Sequence, residues 1–173
     1  LTFSNKNMKI LVTGATGFVG EYLVRSLLKK GHQVSCLIHK QDSKEEFSKC
    51  KFFYGDVNNQ EVVSNAVKGQ EIIYHLVGIG NVSAVSKKDY ELYKKVNIEG
   101  TRNVLDACLK HKVQKIIYLS STAAMGLIKG EIANEQSSCN PQTPYQKSKF
   151  ESEQLILEYF SKYKIPVVIL RPS

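Results

Sequence analysis

The 173-residue sequence predicts an α/β fold in which helices cover both faces of a doubly wound parallel sheet. Two observations carry this prediction. Apolar runs of strand length alternate with helical patterns to the end of the chain, and a glycine-rich turn follows the first run. Strands connected in this way pair in parallel through helical crossovers. The expected strand order is 3-2-1-4-5-6, with a ligand beyond the carboxyl ends of strands one and four.

The first strand and the turn after it form the most informative segment of the chain. Lys9–Thr13 is an apolar run that leads directly into Gly14, Gly17 and Gly20. Gly14 permits a tight turn, Gly17 lets the backbone approach a pyrophosphate, and Gly20 lets the following helix pack closely on the strand. The free N–H groups at the start of that helix would face the phosphates. A strand, a glycine turn and a helix in this order predict a dinucleotide site.

The later elements follow from the same alternation. Strands are expected at Gln33–Ile38, Lys51–Tyr54, Glu71–Leu76, Lys115–Ser120 and Pro166–Leu170. Further helices are expected at Asn58–Val67, Asp89–Lys110 and Pro144–Tyr163. The apolar face of the first helix is expected to comprise Phe18, Val19, Tyr22, Leu23 and Leu27. Thr143 is expected to cap the last helix, with Pro144 at its first position.

Composition narrows the class of protein. Lysine and arginine number 24 against 16 acidic residues, a net charge of +8, but the lysines are dispersed and often lie beside acids. We therefore expect a solvated surface and no nucleic-acid partner. The sequence contains no stretch of 18 apolar residues, so it predicts no membrane span. No secretory leader precedes the first strand, and we therefore expect a cytoplasmic protein. The four cysteines lack metal-site spacing, so we expect reduced thiols and no metal.

The domain organisation is expected to be simple. Residues 1–7 are polar and precede Met8, which is typical of a tail or tag. Residues 8–173 are expected to form one dinucleotide-binding domain. The sequence stops at Ser173, just after the sixth predicted strand, so we expect that a C-terminal substrate domain is absent from this chain.

A second signal suggests acid–base chemistry. Tyr145 and Lys149 are four residues apart at the start of the last helix, so their side chains share one face. A free phenol titrates at about pH 10, and a nearby ammonium lowers that pKa. Ser121, at the end of the fifth strand, could donate a hydrogen bond to a reacting oxygen. In the alternative interpretation the Tyr–Lys spacing is coincidental and Ser120, Ser121 and Thr122 only cap the end of the strand.

Seven segments in order carry a family resemblance. They are TGATGFVG (Thr13–Gly20), GDV (Gly55–Val57), IYHLVG (Ile73–Gly78), VNIEGT (Val96–Thr101), YLSSTAAMG (Tyr118–Gly126), PYQKSK (Pro144–Lys149) and LRPS (Leu170–Ser173). With these segments the chain resembles the extended branch of the short-chain dehydrogenase/reductase superfamily, the NAD-dependent epimerase/dehydratase family. The resemblance covers nearly the whole chain from Met8 and implies a Rossmann-type fold.

The resemblance also implies roles for individual residues. Tyr145 would be the general acid/base, and Lys149 would lower its pKa and bind the nicotinamide ribose. Ser121 would position the substrate oxygen, with Thr122 as the substitute if the loop is shifted by one residue. The residues implied to line the cofactor are Gly14, Thr16, Gly17, Phe18 and Val19 at the pyrophosphate, Asp56 and Val57 at the adenine, and Leu76, Val77 and Gly78 beneath it.

Three further residues bear on the site. Asn97 matches the family's helix asparagine, which steadies the site or a water chain, but a structural bond to neighbouring backbone is an equal alternative. His75 is interpreted as a packing residue. Val77 is bulkier than the small residue common at its position in the family. A related ending occurs in non-catalytic family members, which keeps a regulatory or assembly role open.

The end of the second strand bears on cofactor choice. NAD-specific sites usually place a carboxylate there, but this strand ends in His39 and Lys40, and Asp42 comes slightly late. Lys40 could pair with a 2′-phosphate, and His39 could stack on the adenine. The sequence therefore favours NADP slightly over NAD.

The expected function is that of an NAD(P)-dependent oxidoreductase-type enzyme. It would transfer hydride at a carbinol or carbonyl carbon, with a nucleotide-sugar as the expected substrate. The alternatives are an NADP-dependent ketone or aldehyde reductase, similar to dihydroflavonol reductases or hydroxysteroid dehydrogenases, and a non-catalytic nucleotide-binding subunit. The resemblance also implies a homodimer that forms through the two long helices.

Overall fold

A computed structural model describes residues 7–39, 47–80, 87–127 and 132–173, with only the backbone of residues 87–89. Its centre is a six-stranded sheet in which every neighbouring pair is parallel. The strands are β1 (Lys9–Thr13), β2 (Gln33–Ile38), β3 (Lys51–Tyr54), β4 (Ile72–His75), β5 (Lys115–Leu119) and β6 (Val167–Leu170). Their spatial order, β3-β2-β1-β4-β5-β6, confirms the predicted order.

The helices connect these strands. They are α1 (Phe18–Lys29), α2 (Gln60–Val67), α3 (Lys87–Tyr93), α4 (Gly100–His111) and α5 (Pro144–Tyr163). A 3₁₀ turn, Thr122–Met125, follows β5. Within the described ranges, no helix is both long enough and apolar enough to cross a bilayer.

The prediction of one continuous helix over Asp89–Lys110 is wrong. A π-helical segment, Lys94–Glu99, separates α3 from α4, and the N–H of Gly100 donates to the carbonyl of Lys95, five residues back. Widened turns of this kind are rare and are frequently found at functional sites. Apolar periodicity continues through such a segment, so the sequence pattern did not reveal it.

The core consists of two apolar clusters, one on each face of the sheet. Leu11 and Ile73 point toward α2, α4 and α5, and Ile10 and Val12 point toward α1. Strands covered on both faces are typical of parallel sheets. Burial of each large aliphatic side chain contributes about 1.5–3 kcal/mol, so these clusters stabilise the alignment of all six strand ends.

The buried face of α1 differs from the predicted one. Phe18 and Tyr22 are 82% and 62% exposed, whereas Gly20, Val24 and Leu27 are buried. A Cβ atom at Gly20 would overlap the carbonyl oxygen of Gly14, so the helix lies directly on the glycine turn. That contact decides which face of α1 meets the sheet.

The start of α5 is capped as predicted. The Thr143 hydroxyl oxygen accepts from the Gln146 N–H at 3.3 Å, and the Gln146 side-chain oxygen accepts from the Thr143 N–H at 3.1 Å. Pro144 lies in the first turn. This capping box fixes where the helix begins and therefore where Tyr145 and Lys149 lie.

A buried ion pair ties β6 to α5. The Glu153 carboxylate is fully buried and accepts from Arg171 Nε at 2.9 Å and Nη2 at 2.7 Å. Such a bidentate pair has strong directional geometry. Removal of either partner would leave the other charge buried without compensation.

We expect Arg171→Met to destabilise the protein by about 3–5 kcal/mol, because it leaves the buried Glu153 carboxylate without its positively charged partner. The matched control is Arg102→Met, since Arg102 pairs with Glu99 at 3.3 Å on the exposed surface. That change should cost about 1 kcal/mol or less. Urea unfolding of both variants measures the difference, and equal losses would contradict this account.

Candidate active site

The site begins at the turn between β1 and α1. Gly14 has a φ of +71°, and a Cβ atom there would lie 2.7 Å from the backbone nitrogen of Val77. Only glycine fits this close approach, which brings the turn against the backbone that follows β4. Gly17 is the N-cap of α1 and forms no side-chain cap. The first N–H groups of α1 are therefore oriented to bind an anion.

A cavity of about 260 Å³ lies beyond the carboxyl ends of β1, β2 and β4. Its lining residues are Thr13, Gly14, Thr16, Leu37, Ile38, His39, Gly55, Asp56, Val57, Val77, Gly78, Ile79 and Val96. Seven residues of the predicted cofactor set are among them. Lys40, the residue on which the preference for NADP depends, lies outside the described residues.

The two ends of this cavity differ in chemistry. His39 Nε2 lies 3.6 Å from Asp56 Oδ2 at the β2–β3 end, and both side chains are well exposed. The β1–α1 turn supplies backbone N–H groups at the other end. A polar pair at one end and an anion-binding turn at the other fit the adenosine and pyrophosphate portions of a dinucleotide.

Lys149 is buried beside the ends of β4 and β5. Its Nζ donates to the carbonyl oxygen of Leu119 at 3.0 Å and lies 5.1 Å from the centre of the Tyr118 ring. A Cβ atom at Gly78 would come within 3.5 Å of this nitrogen. The side chain of Lys149 therefore lies next to the segment that borders the cavity.

Burial also changes the protonation of Lys149. Loss of solvent lowers its pKa to about 8, an effect that the carboxylate of Glu153 partly opposes. A lysine with this pKa carries its charge at neutral pH and loses it under mildly alkaline conditions. Lys149 therefore changes between its charged and neutral forms around its pKa of about 8.

Tyr145 lies in the first turn of α5 and packs against a second tyrosine. The ring centres of Tyr145 and Tyr93 are 5.9 Å apart, with the planes inclined by 54°. Tyr93 is itself buried, and its hydroxyl donates to the carbonyl of Gly80 at 3.1 Å. Nothing in the sequence pattern indicated the contact between Tyr93 and Tyr145.

Ser121 caps the 3₁₀ turn after β5. Its hydroxyl oxygen accepts from the N–H of Ala123 at 3.1 Å. This is the capping role of the alternative interpretation. It uses only a lone pair, so the hydroxyl hydrogen can still be donated to another oxygen. The backbone N–H of Thr122 donates to the carbonyl of Pro172 at 2.9 Å, which fixes the turn against the end of the chain.

Asn97 makes the structural bond that the sequence left as one alternative. Its Oδ1 accepts from the Ile79 N–H at 2.8 Å, and its Nδ2 donates to the Ile79 carbonyl at 3.3 Å and to Ser148 Oγ at 3.0 Å. The π segment thereby holds the loop after β4 and the helix that carries Tyr145 and Lys149.

His75 is buried, as a packing residue would be, but both ring nitrogens are hydrogen-bonded. Nδ1 lies 2.8 Å from Thr13 Oγ1, and Nε2 lies 3.0 Å from Thr101 Oγ1. Burial, together with the charge of Lys149, lowers the pKa of His75 to about 3. The ring is therefore neutral at physiological pH. Neither threonine was singled out from the sequence, because a Thr at a strand end or helix start is common.

Within the described ranges, no cluster of three or more His, Cys, Asp and Glu side chains could hold a metal ion. The polar side chains of the site are hydroxyls, amides, Lys149, the neutral His75 and the His39–Asp56 pair. Their chemistry suits proton transfer and anion binding.

Comparison with known proteins agrees with this geometry. The sequence model of the NAD dependent epimerase/dehydratase family matches residues 10–173. This chain belongs to that family. The predicted resemblance and the predicted Rossmann-type fold are thereby confirmed.

Several known proteins are similar over most of the chain. An uncharacterised UDP-glucose epimerase of Bacillus subtilis is 30% identical, covering 95% of this chain and 55% of that protein. The 3β-hydroxysteroid dehydrogenase type 7 of Mus musculus is 33% identical, covering 86% and 43%. The crystal structure of Thermus thermophilus UDP-glucose 4-epimerase in complex with NAD is 32% identical, with a TM-score of 0.84, covering 95% and 54%. The chain thus spans about half the length of its relatives.

We expect His75 to make the protein sensitive to mild acid. Its pKa is about 3 when folded and 6.5 as a free side chain, so below pH 6.5 only the unfolded chain takes up this proton. Folding stability should therefore fall by about 2 kcal/mol between pH 7 and pH 5 through this residue alone.

Urea unfolding at the two pH values measures the effect, with His75→Phe as the comparison. The variant should lose about 2 kcal/mol less than the wild type over this interval. An identical loss in both proteins would show that His75 does not carry the pH dependence.

Proposed function

We propose that the protein binds a nicotinamide dinucleotide in the cavity at the ends of β1, β2 and β4 and catalyses hydride transfer at a carbinol or carbonyl carbon. The observation that carries the proposal is the position of Lys149. It is a buried cation, one helical turn from Tyr145, beside the Gly78 segment that borders the cavity. A buried ammonium is costly, and a structural role alone does not explain its retention at this edge of the cavity.

The chain's residues would hold the cofactor in three places. The β1–α1 turn, with Gly14, Thr16, Gly17, Phe18 and Val19, would bind the pyrophosphate. His39, Asp56 and Val57 would contact the adenosine portion. Leu76, Val77 and Gly78 would lie beneath the remainder, and Tyr145 and Lys149 would contact the nicotinamide ribose. The bound nicotinamide supplies a hydride acceptor and donor.

Three side chains would handle the proton and the reacting oxygen. Tyr145 would take the proton from a substrate hydroxyl, or return it to a carbonyl oxygen. Lys149 would favour the phenolate through its charge. Ser121 would donate its remaining hydrogen to the same oxygen, where negative charge develops during the reaction.

The relatives support a nucleotide-sugar as the substrate. Proteins named UDP-glucose epimerase and dTDP-D-glucose 4,6-dehydratase are each 30% identical over 95% of this chain. We propose that the protein acts on a compound of this class. Dimerisation through the two long helices predicted at Asp89–Lys110 and Pro144–Tyr163, and a location in the cytoplasm, remain predictions.

A reductase that exchanges NADP at each turnover is the second candidate. The end of β2 favours it, because His39 stands where NAD-specific sites usually carry an acid. A 2-alkyl-3-oxoalkanoate reductase of Stenotrophomonas maltophilia is also 31% identical over 95% of this chain. A third candidate is a non-catalytic subunit, which the bulky Val77 keeps open.

Tyr145→Phe tests catalysis. We expect turnover of UDP-glucose or dTDP-glucose to fall about 100-fold or more, because the proton donor is lost. NADH affinity, measured by fluorescence titration, should change by less than about threefold. The control is Tyr163→Phe, which alters a half-exposed tyrosine at the far end of α5. Unchanged turnover in Tyr145→Phe would exclude it as the acid/base.

Lys40→Glu tests cofactor choice. If Lys40 binds a 2′-phosphate, the substitution should weaken NADPH binding about 10- to 100-fold, the loss expected for a charged hydrogen bond. NADH affinity should change little. Lys30→Glu, at an exposed lysine after α1, controls for the change in net charge. Equal effects of Lys40→Glu on both cofactors would reject the preference for NADP.

A further inference from the structure

The hydrogen bonds of His75 form a chain whose direction can be worked out atom by atom. The hydroxyl of Thr101 lies 2.5 Å from the backbone oxygen of Asn97 and 3.0 Å from His75 Nε2. A carbonyl oxygen can only accept, so the single hydroxyl hydrogen of Thr101 points to Asn97. Thr101 must therefore accept from His75, which places the ring hydrogen on Nε2.

The other end of the chain is fixed in the same way. A neutral ring with its hydrogen on Nε2 has a bare Nδ1, so the Thr13 hydroxyl donates to it at 2.8 Å. The Thr13 oxygen in turn accepts from the backbone N–H of Val77 at 3.3 Å. The chain thus runs from one backbone donor, Val77, to one backbone acceptor, Asn97.

Both ends lie on parts of the candidate site. Val77 borders the cavity. The side chain of Asn97 holds Ile79 and Ser148, and Ser148 directly precedes Lys149. A Cβ atom at Gly78 would lie 3.2 Å from Asn97 Oδ1, so there is little free space between the two ends.

We propose that His75 is a positioning residue: its neutral ring, protonated on Nε2, ties the cavity-lining backbone at Val77 to the π segment at Asn97 and so holds the loop after β4 in its cofactor-binding geometry. The place of the cofactor in this statement rests on the proposed function. The hydrogen-bond chain itself does not.

Packing alone does not account for these contacts. An apolar ring of similar size would fill the space but leave the Thr13 hydroxyl without an acceptor, and a buried hydroxyl without a partner is costly. A protonated ring would present a second donor to Thr13 and a second charge near Lys149. Only the neutral tautomer satisfies both threonines.

The first experiment uses the unaltered protein. Nitrogen-15 NMR of histidine-labelled protein separates protonated from bare ring nitrogens. We expect His75 to show hydrogen on Nε2 and a bare Nδ1 throughout pH 5–8. Hydrogen on Nδ1, or a charged ring in this interval, would overturn the proposal.

The second experiment compares His75→Phe with His75→Gln by amide hydrogen exchange. In His75→Phe we expect exchange at Val77 and Ile79 to rise about tenfold, and NADH affinity to fall about tenfold, the loss of about one hydrogen bond. Glutamine can still donate to Thr101 from near the Nε2 position. His75→Gln should therefore restore wild-type protection at Ile79 but not at Val77.

The matched control is His111→Phe. His111 is the last residue of α4, about 15 Å along the helix from Thr101. Its Nε2 lies 2.9 Å from the hydroxyl of Ser64. This variant should leave exchange at Val77 and Ile79, and NADH affinity, unchanged.

The outcomes separate this proposal from the proposed function. Wild-type exchange at Val77 and Ile79 in a folded His75→Phe would overturn the positioning role. If His75→Phe does not fold, His75→Gln and the nitrogen-15 spectrum decide. Full turnover in Tyr145→Phe would reject the catalytic proposal but not the positioning role of His75. Increased amide exchange in His75→Phe without any loss of NADH affinity would show that His75 does not support cofactor binding.

Discussion

The close approach of two backbone segments, the β1–α1 turn and the residues after β4, is the constraint on which the site depends. At Gly14 the turn comes so near Val77 that no side chain fits between them. This contact occurs where the strand order reverses, with β1 and β4 side by side, so the connections leave in opposite directions and a cavity opens between them. The sheet's two apolar clusters keep the strand ends level. A second close contact, of Gly20 with the carbonyl of Gly14, places α1 on the same turn, so the position of the helix that would bind phosphate depends on this turn.

The polar groups behind this contact form a second layer of order. Hydroxyl and amide side chains bridge β1, β4, the π segment and α5, and each described bond in the chain through His75 has one allowed direction. Buried polar networks of this kind cost stability unless every member is satisfied. A fully satisfied network specifies one arrangement of its side chains, since any other arrangement leaves a donor or an acceptor without a partner. The carbonyl of Asn97, in the π segment, accepts from the hydroxyls of both Thr101 and Ser152.

The sequence was sufficient for the strands, their order and the glycine turn, because these follow from local periodicity and steric limits. It also located Thr143 as the N-cap of α5 and Pro144 at its start, because these two residues are adjacent in the chain. It could not predict the π segment, in which the carbonyl of Asn97 accepts from Ser152, 55 residues away along the chain. Nor could it predict that Phe18 and Tyr22 are exposed, because both the buried and the exposed side of α1 carry apolar residues. The hydrogen-bond partners of His75 could not be predicted either, because Thr13 and Thr101 lie 62 and 26 residues away from it along the chain.

The charges of the site are arranged so that only one of two neighbouring bases is ionised. Burial lowers the pKa of Lys149 to about 8 and that of His75 to about 3, and the Lys149 charge contributes to the second shift. Glu153, one turn after Lys149, favours the ammonium, and Arg171 pairs with the same carboxylate by a bidentate contact. Lys149 therefore experiences enough negative charge to remain ionised at neutral pH, but not enough to restore an ordinary lysine pKa. Arg171, directly after β6, thus influences through Glu153 a cation that lies one turn earlier on the same face of α5. The LRPS segment consequently belongs to the electrostatics of the site as well as to the packing of β6.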